Sequence, residues 1–235
     1  MTSAWWIDLD LPPETIEGAA EVSGLTVAER ARADRFKYDR DRARWTASRS
    51  ALRRILGEAL GVRPEEIEFA AGTHGKPMLG GRLAGALEFN LSHSAGLALL
   101  AVSDEVEIGA DVEEVSAMDD MEPVAERHFA PEECEALFSL PDAERLRGFY
   151  RLWTRKEAYI KAIGTGLGHA LDRFAVSLDA TDARILHLDG DRAAAARWTM
   201  VHLEPRFDAR FVAAVAIARA GETVDAKRWT PRAFL

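Results

Sequence analysis

The segment EIGADVEEV, residues 107–115, alternates apolar and acidic side chains and therefore predicts a β-strand with two different faces. Its apolar residues would pack against another layer. Asp111 and Glu113 would lie about 6 to 7 Å apart on the opposite face. Two neighbouring carboxylates need either water or a cation, so the strand predicts either a solvated edge or a charged site.

The length and composition fit one large domain or two closely packed halves, with 235 residues of which 48% are hydrophobic. The first residues are acidic and lack the basic and apolar regions of a signal peptide. The longest apolar run, GLALLAV at 96–102, is too short to cross a bilayer. We therefore expect a cytoplasmic protein with no membrane partner.

The cysteine content excludes an intramolecular disulfide, because Cys134 is the only cysteine. No cluster of Cys and His has zinc-ligand spacing, which argues against a structural zinc site. We interpret Cys134 as a helix residue and not as a nucleophile.

The charge is uneven along the chain. The net charge of −9 argues against nucleic acid as the main partner, yet residues 30–54 carry ten Lys or Arg against three Asp. Such a segment either holds a small polyanion or forms a solvated helix face with ion pairs to acids such as Asp39 and Asp41. Both interpretations stay open at this point.

The first half of the chain predicts strands around a long helix. A strand at 5–11 ends at Pro12 and Pro13, and apolar residues then recur at helical spacing from Trp45 to Leu60, before Gly61. Residues 67–79 predict a strand that enters a turn. Three strand patterns follow, at 86–94, 97–103 and 106–114, and suggest an antiparallel meander.

The second half predicts helices and then strands, so the fold class is α+β. Helical patterns cover 121–129, 131–140 and 143–163, the last of them ending at Gly164. The tail returns to strands at 174–178, 196–205 and 210–219. The GTGLG segment at 164–168 follows a helix and does not open one after a strand, so we interpret it as a helix stop and not as a dinucleotide-binding loop.

The long helix at 143–163 adds a third acid. Glu157 and Lys161 lie four residues apart and share a face with Trp153. A plain surface ion pair is the alternative. Together with Asp111 and Glu113, however, these residues suit a hard cation such as Mg²⁺, whose coordination is commonly completed by substrate phosphates.

Two turns offer further groups for a phosphate-bearing ligand. Ser92 and His93 lie at a strand end, and Lys76 follows Gly75, whose small size allows close backbone approach. A histidine at a strand end is more commonly a structural hydrogen-bonding group.

Four segments together resemble the 4′-phosphopantetheinyl transferases of the Sfp type: GKP at 75–77, FNLSHS at 89–94, IGADVE at 108–113 and LWTRKEAYIKAIGTGL at 152–167. A G-x-D-x-E motif followed about forty residues later by W-x-x-K-E-A-x-x-K is a specific two-part pattern. The resemblance extends from about Arg30 to about Ser177.

The resemblance implies transfer of the phosphopantetheine arm of coenzyme A to a serine of an apo acyl or peptidyl carrier protein, with release of adenosine 3′,5′-bisphosphate. It also implies two pseudo-symmetric α+β halves, each a small antiparallel sheet on a long helix, with the site between them. We expect these halves at 1–105 and 106–235, in a working monomer.

The resemblance also assigns roles to individual residues. The metal-binding acids would be Asp111, Glu113 and Glu157, with Glu157 and Lys161 in catalytic roles. The coenzyme A contacts would be Arg32, Arg44, Lys76, Ser92, His93 and Lys161.

Some positions depart from the family or stay undecided. Trp45 stands where some members place a small hydroxyl residue that contacts phosphate. We interpret Phe129 as packing and leave Glu133 undecided. Met118 and Met121 belong to a candidate carrier-docking segment, although core packing is the commoner role of methionine.

Two other functions remain alternatives. A different Mg²⁺-dependent enzyme that cleaves pyrophosphate bonds would also use acids and a lysine, but usually with denser acidic motifs. A non-catalytic coenzyme A or nucleotide-binding protein would bind without turnover.

Overall fold

A computed structural model describes residues 2–10, 24–166 and 170–230. The strands are β1 (Thr2–Asp8), β2 (Phe69–Ala71), β3 (Pro77–Leu79), β4 (Glu88–Ser94), β5 (Leu97–Ser103), β6 (Ile108–Glu114), β7 (Phe174–Val176), β8 (Ile185–Leu188), β9 (Thr199–Leu203), β10 (Phe211–Ile217) and β11 (Asp225–Arg228). The helices are α1 (Val27–Ala33), α2 (Asp39–Leu60), α3 (Met121–His128), α4 (Pro131–Phe138), α5 (Asp142–Ile163) and α6 (Arg192–Ala195). The predicted α+β class is confirmed.

Two sheets with the same strand order form the two halves. The first has the order β11-β1-β5-β4 and the second β6-β10-β9, so that β1, β5 and β4 correspond to β6, β10 and β9. These corresponding strands all pair antiparallel, whereas β11 pairs parallel to β1. Each half also contains a 22-residue helix, α2 or α5. The predicted pseudo-symmetric halves are confirmed.

Both long helices end as their sequences predict. Gly61 and Gly164 follow α2 and α5 in the left-handed conformation, with φ of 66° and 67°. Glycine adopts this conformation without the steric cost of a Cβ atom, and it ends helices for that reason. Pro12, Pro13 and the later part of GTGLG, from residue 167, lie outside the described residues.

The predicted three-stranded meander is wrong. β4 and β5 pair with each other, but β6 pairs with β10 in the second sheet. The reason is that β5 already has β4 on one side and β1 on the other, which leaves no free edge for β6. β6 therefore begins the second half.

The two sheets pack face to face and the long helices cover their outer faces. Ile108, Ala110 and Val112 are completely buried against the first sheet, as the alternation in β6 predicts. On the outer face, a Cβ atom at Gly109 would overlap the backbone of α5 at Ala158. The glycine of the G-x-D-x-E motif thus allows the helix to approach the strand closely.

No helix within the described ranges combines the length and the apolar character needed to cross a membrane.

Candidate functional site

The close packing of α5 on β6 brings the predicted acids and lysine together. Asp111 lies on the face of β6 that α5 covers, and its Oδ1 atom is 2.5 Å from Lys161 Nζ. Asp111 is only 2% exposed, whereas 31% of the Lys161 side chain is exposed. The lysine therefore pairs with the strand acid and does not form the plain helix ion pair with Glu157.

Three carboxyl groups share this small volume and disfavour each other's charge. Burial raises the pKa of Asp111, and Lys161 opposes this shift. Burial also raises the pKa of Glu113 and Glu157, and in both cases the charge of Asp111 raises it further. The cluster has more negative charge than Lys161 alone compensates.

Two carboxylate oxygens in this cluster are buried without a hydrogen-bond partner, namely Asp111 Oδ2 and Glu157 Oε1. Buried polar atoms almost always have partners, so these two oxygens are open to a hydrogen bond from water or to a cation. In the described part of the chain, however, no set of three or more His, Cys, Asp or Glu side chains is close enough to hold a metal ion in this arrangement. Lys161 occupies the position beside Asp111.

Strand β4 contributes a row of polar side chains that contact β6. Ser92 Oγ donates to Asp111 Oδ1 at 2.9 Å and accepts from Lys161 Nζ at 3.0 Å. Ser94 Oγ donates to Glu113 Oε2 at 2.7 Å. The sequence motifs do not identify Ser94 as a site residue, although Asn90, Ser92 and Ser94 lie at alternate positions, at the period of a strand.

Two adjoining cavities lie between α2 and β4, with volumes of about 410 and 170 Å³. Trp45, Ser48 and His93 line both of them, and Arg44 lines the larger one. Strand β4 connects the two features, because Ser92 contacts Asp111 and the adjacent His93 lines both cavities.

Sequence comparison identifies the family to which this site belongs. The model of the 4′-phosphopantetheinyl transferase superfamily matches residues 107–216. That of the 4′-phosphopantetheinyl transferase N-terminal region matches residues 12–105. The chain is 41% identical to the 4′-phosphopantetheinyl transferase HetI of Nostoc sp. over 97% of its length and 89% of that protein. The chain belongs to the 4′-phosphopantetheinyl transferase superfamily.

Two further relatives are less similar to this chain. The 4′-phosphopantetheinyl transferase psf-1 of Bacillus pumilus is 33% identical over 72% of this chain and 70% of its own. The human L-aminoadipate-semialdehyde dehydrogenase-phosphopantetheinyl transferase is 29% identical over 88% of this chain and 71% of its own. A crystal structure of the Thermotoga maritima holo-[acyl-carrier-protein] synthase aligns with a TM-score of 0.37 at 22% identity, over 49% of this chain and 64% of that one.

The basic residues of this phosphopantetheinyl transferase have several different partners. Arg44 forms a bidentate pair with Asp10, at 2.6 and 2.7 Å. Arg32 lies over the ring of Trp45, 5.4 Å from its centroid. Arg49 and Arg53 both pair with Glu29, so ion pairs account for part of the basic segment.

Lys76 joins the two halves of the transferase. Its Nζ atom donates to the backbone carbonyls of Ile108, at 3.1 Å, and Ala162, at 2.9 Å. Burial lowers the pKa of this ammonium group. The lysine thus links the turn before β3 to the start of β6 and the end of α5.

Other residues of the transferase are structural. Phe129 packs against Phe149 with ring centroids 5.2 Å apart, as predicted. Glu133 forms a buried ion pair with Lys156 at 2.6 Å, which explains a residue that the sequence left undecided. Cys134 lies in helix α4, as predicted, and Met118 and Met121 pack against the core of the second half.

Proposed function

We propose that this chain transfers the 4′-phosphopantetheine arm of coenzyme A to a serine hydroxyl of an apo carrier protein in a Mg²⁺-dependent reaction that releases adenosine 3′,5′-bisphosphate. Family membership supports the transfer reaction. The metal, the product and the residue roles are our inference.

The observation that carries the proposal is the pair of unpartnered oxygens, Asp111 Oδ2 and Glu157 Oε1, in a cluster of three acids. Carboxylate oxygens are the ligands that Mg²⁺ prefers, and the ion usually keeps open positions for water and phosphate. The oxygen donors therefore suit Mg²⁺ in their chemistry, and we infer that Asp111, Glu113 and Glu157 would hold it after moving closer together than they lie in this arrangement. When bound, the ion would neutralise charge on the pyrophosphate of coenzyme A.

Lys161 has the position and the freedom to act on the substrate. Its ammonium group pairs with Asp111 and contacts Ser92, but 31% of the side chain is exposed. Lys161 would exchange its pair with Asp111 for a phosphate oxygen when Asp111 serves as a metal ligand. Lys161 would then stabilise the negative charge that develops on the leaving α-phosphate.

The serine of the carrier protein must lose its proton as it attacks the β-phosphorus. Glu157 has two carboxylate oxygens, so one would bind the cation while the other accepts the proton, and burial raises the pKa of this carboxyl, which brings it nearer to the range of an effective general base. We assign proton removal to Glu157, acting on the serine hydroxyl directly or through one water.

The cleft would hold the nucleotide part of coenzyme A. Its wall includes His93, Arg44 and the ring of Trp45, a combination that suits phosphate groups and a planar base. Arg32 backs the ring of Trp45, and Ser92 contacts Lys161, so both contribute from the second layer. Lys76 contributes positive charge from the link between the halves.

We also propose that the active form is a cytoplasmic monomer whose halves divide at residues 105 and 106, except that β11 returns to the sheet of the first half. Ser92 of the first half contacts Asp111 of the second, so one chain supplies both sides of the cluster. The two family matches, at 12–105 and 107–216, support the same division.

Mass spectrometry of apo carrier proteins incubated with the protein, coenzyme A and Mg²⁺ tests the reaction. We expect a mass gain of one phosphopantetheine arm on the carrier, and no gain when EDTA removes the metal. Binding of coenzyme A without any gain across acyl, peptidyl and aryl carriers would instead favour a non-catalytic binding protein. A gain that persists in EDTA would contradict the metal requirement.

A further inference from the structure

Strands β4 and β6 lie at the edges of different sheets. Side chains of β4 nevertheless accept hydrogen bonds from the backbone of β6, as the backbone of a neighbouring strand would. An edge strand has backbone N–H groups without ladder partners. Asn90 Oδ1 accepts from the N–H of Ala110 at 2.9 Å, and Ser94 Oγ accepts from the N–H of Glu114 at 3.1 Å. The free edge of β6 is thus paired with side chains from the other half of the molecule.

Two side chains of β4 also contact the carboxyl groups of β6: Ser92 contacts Asp111 and Ser94 contacts Glu113. Ser94 Oγ accepts from the Glu114 N–H, so the single proton of its hydroxyl is available for Glu113 Oε2 at 2.7 Å. One hydroxyl group therefore forms hydrogen bonds with both the Glu113 carboxylate and the backbone N–H of Glu114, and it fixes the position of one relative to the other. Ser92 is a less selective probe, because it contacts both Asp111 and Lys161.

We propose that Ser94 is a positioning residue, which holds the Glu113 carboxylate in the orientation in which it binds the divalent cation. The inference rests on the proposed Mg²⁺-dependent function. Hydrogen-bond partners of metal-binding carboxylates restrict their orientation, and their loss typically weakens metal binding about 10- to 100-fold. The first half of the chain thereby orients ligands that belong to the second half.

The experiment compares wild type with Ser94→Ala by measuring Mn²⁺ binding in the presence of coenzyme A and in the absence of carrier protein. The electron paramagnetic resonance signal of free Mn²⁺ reports binding without any turnover. We expect the Kd for Mn²⁺ to rise about 10- to 100-fold in Ser94→Ala. Ser94→Thr, which keeps the hydroxyl group, should stay close to wild type.

Ser103→Ala is the matched control. Ser103 Oγ accepts from the N–H of Val106, and Ser103 pairs with Glu88 at the other end of the β4–β5 hairpin. Ser94 pairs with Leu97, so the two serines are about 20 Å apart along the strand. The control also loses a serine hydrogen bond but should bind Mn²⁺ like wild type.

The outcomes separate this inference from the function on which it rests. If the wild-type chain bound Mn²⁺ and Ser94→Ala bound it equally well, the positioning role would be overturned and the metal site would stand. If the wild-type chain bound no Mn²⁺ with coenzyme A, the proposed metal site would be wrong and the positioning role with it. Weaker binding in Ser94→Ala that Ser94→Thr restores would support the inference.

Discussion

Replacement of Lys156 with methionine should destabilise the fold because it breaks a completely buried ion pair. Lys156 and Glu133 are 0% and 1% exposed at the side chain, and their charged atoms are 2.6 Å apart. The variant keeps most of the aliphatic stem but leaves the Glu133 carboxylate with only the N–H groups of Ala130 and Val176, each at 2.7 Å. Removal of one partner from a buried pair typically costs about 3 to 5 kcal/mol.

Urea unfolding at 25 °C, followed by tryptophan fluorescence, measures this loss. In a thermal melt of a chain of this size, each kcal/mol of lost unfolding free energy lowers the melting temperature by about 2 to 4 °C. The melting temperature of the variant should therefore fall by about 6 to 20 °C. Lys227→Met is the control, because Lys227 forms a surface ion pair with Asp225 and 59% of its side chain is exposed. Its loss should change stability little.

A second substitution tests whether an uncompensated charge causes the loss. Adding Glu133→Gln to Lys156→Met removes the charge and keeps an oxygen that accepts a backbone hydrogen bond, so the double variant should recover much of the stability. The reasoning would be refuted if Lys156→Met alone lay within about 1 kcal/mol of wild type, the range of ordinary surface substitutions. It would also be refuted if the double variant were less stable than Lys156→Met.

Three further predictions follow from the structure. Glu157→Gln should lower the transfer rate about a hundredfold or more while the far-ultraviolet circular dichroism spectrum and melting temperature stay near wild type, and normal turnover would contradict its role. Gly109→Ala should lose about 1 to 3 kcal/mol in urea unfolding, because its Cβ atom would push α5 away from β6, and unchanged stability would contradict that close approach. Burial alone would raise the pKa of Glu29, but hydrogen bonds from the Thr26 N–H, Arg49 and Arg53 outweigh it and lower the pKa. The stabilisation by the Glu29 carboxylate is thus present above the pKa that this group has in the unfolded chain. It is lost as the pH falls through the lowered pKa of the folded state. Glu29→Gln should therefore be less stable than wild type at pH 7 and show no difference in strong acid.

The elements that local sequence determines were predicted well. The left-handed glycines Gly61 and Gly164 end both long helices where the apolar periodicity stops. The alternation in β6 predicted which side chains pack against the other sheet, because successive side chains of a strand point to opposite sides, but it did not predict that α5 also buries Asp111 on the acidic face. The pairing of β6 was not predictable in the same way. Pairing depends on which strand edges are free in the assembled sheet, and the local pattern does not contain that information.

The candidate site shows the same difference between what a local sequence pattern predicts and what depends on the assembled structure. Asp111 and Lys161 were predicted as site residues from short motifs, and the structure brings them into contact. Ser94 was missed because a serine in a strand gives no signal until its partner strand is known. Lys76 has a long side chain, and its contacts are carbonyl groups of distant backbone that no residue type reveals.

Strand β11 has a consequence for the order in which the protein folds. It pairs parallel to β1, and Arg228 forms an ion pair with Asp8 at 3.2 Å. A chain that emerges from the ribosome in sequence order makes β1 early and β11 more than 200 residues later. The edge of β1 therefore stays open throughout most of synthesis, and contacts of such long sequence separation form slowly. During that interval the open edge of β1 can pair with a second nascent chain.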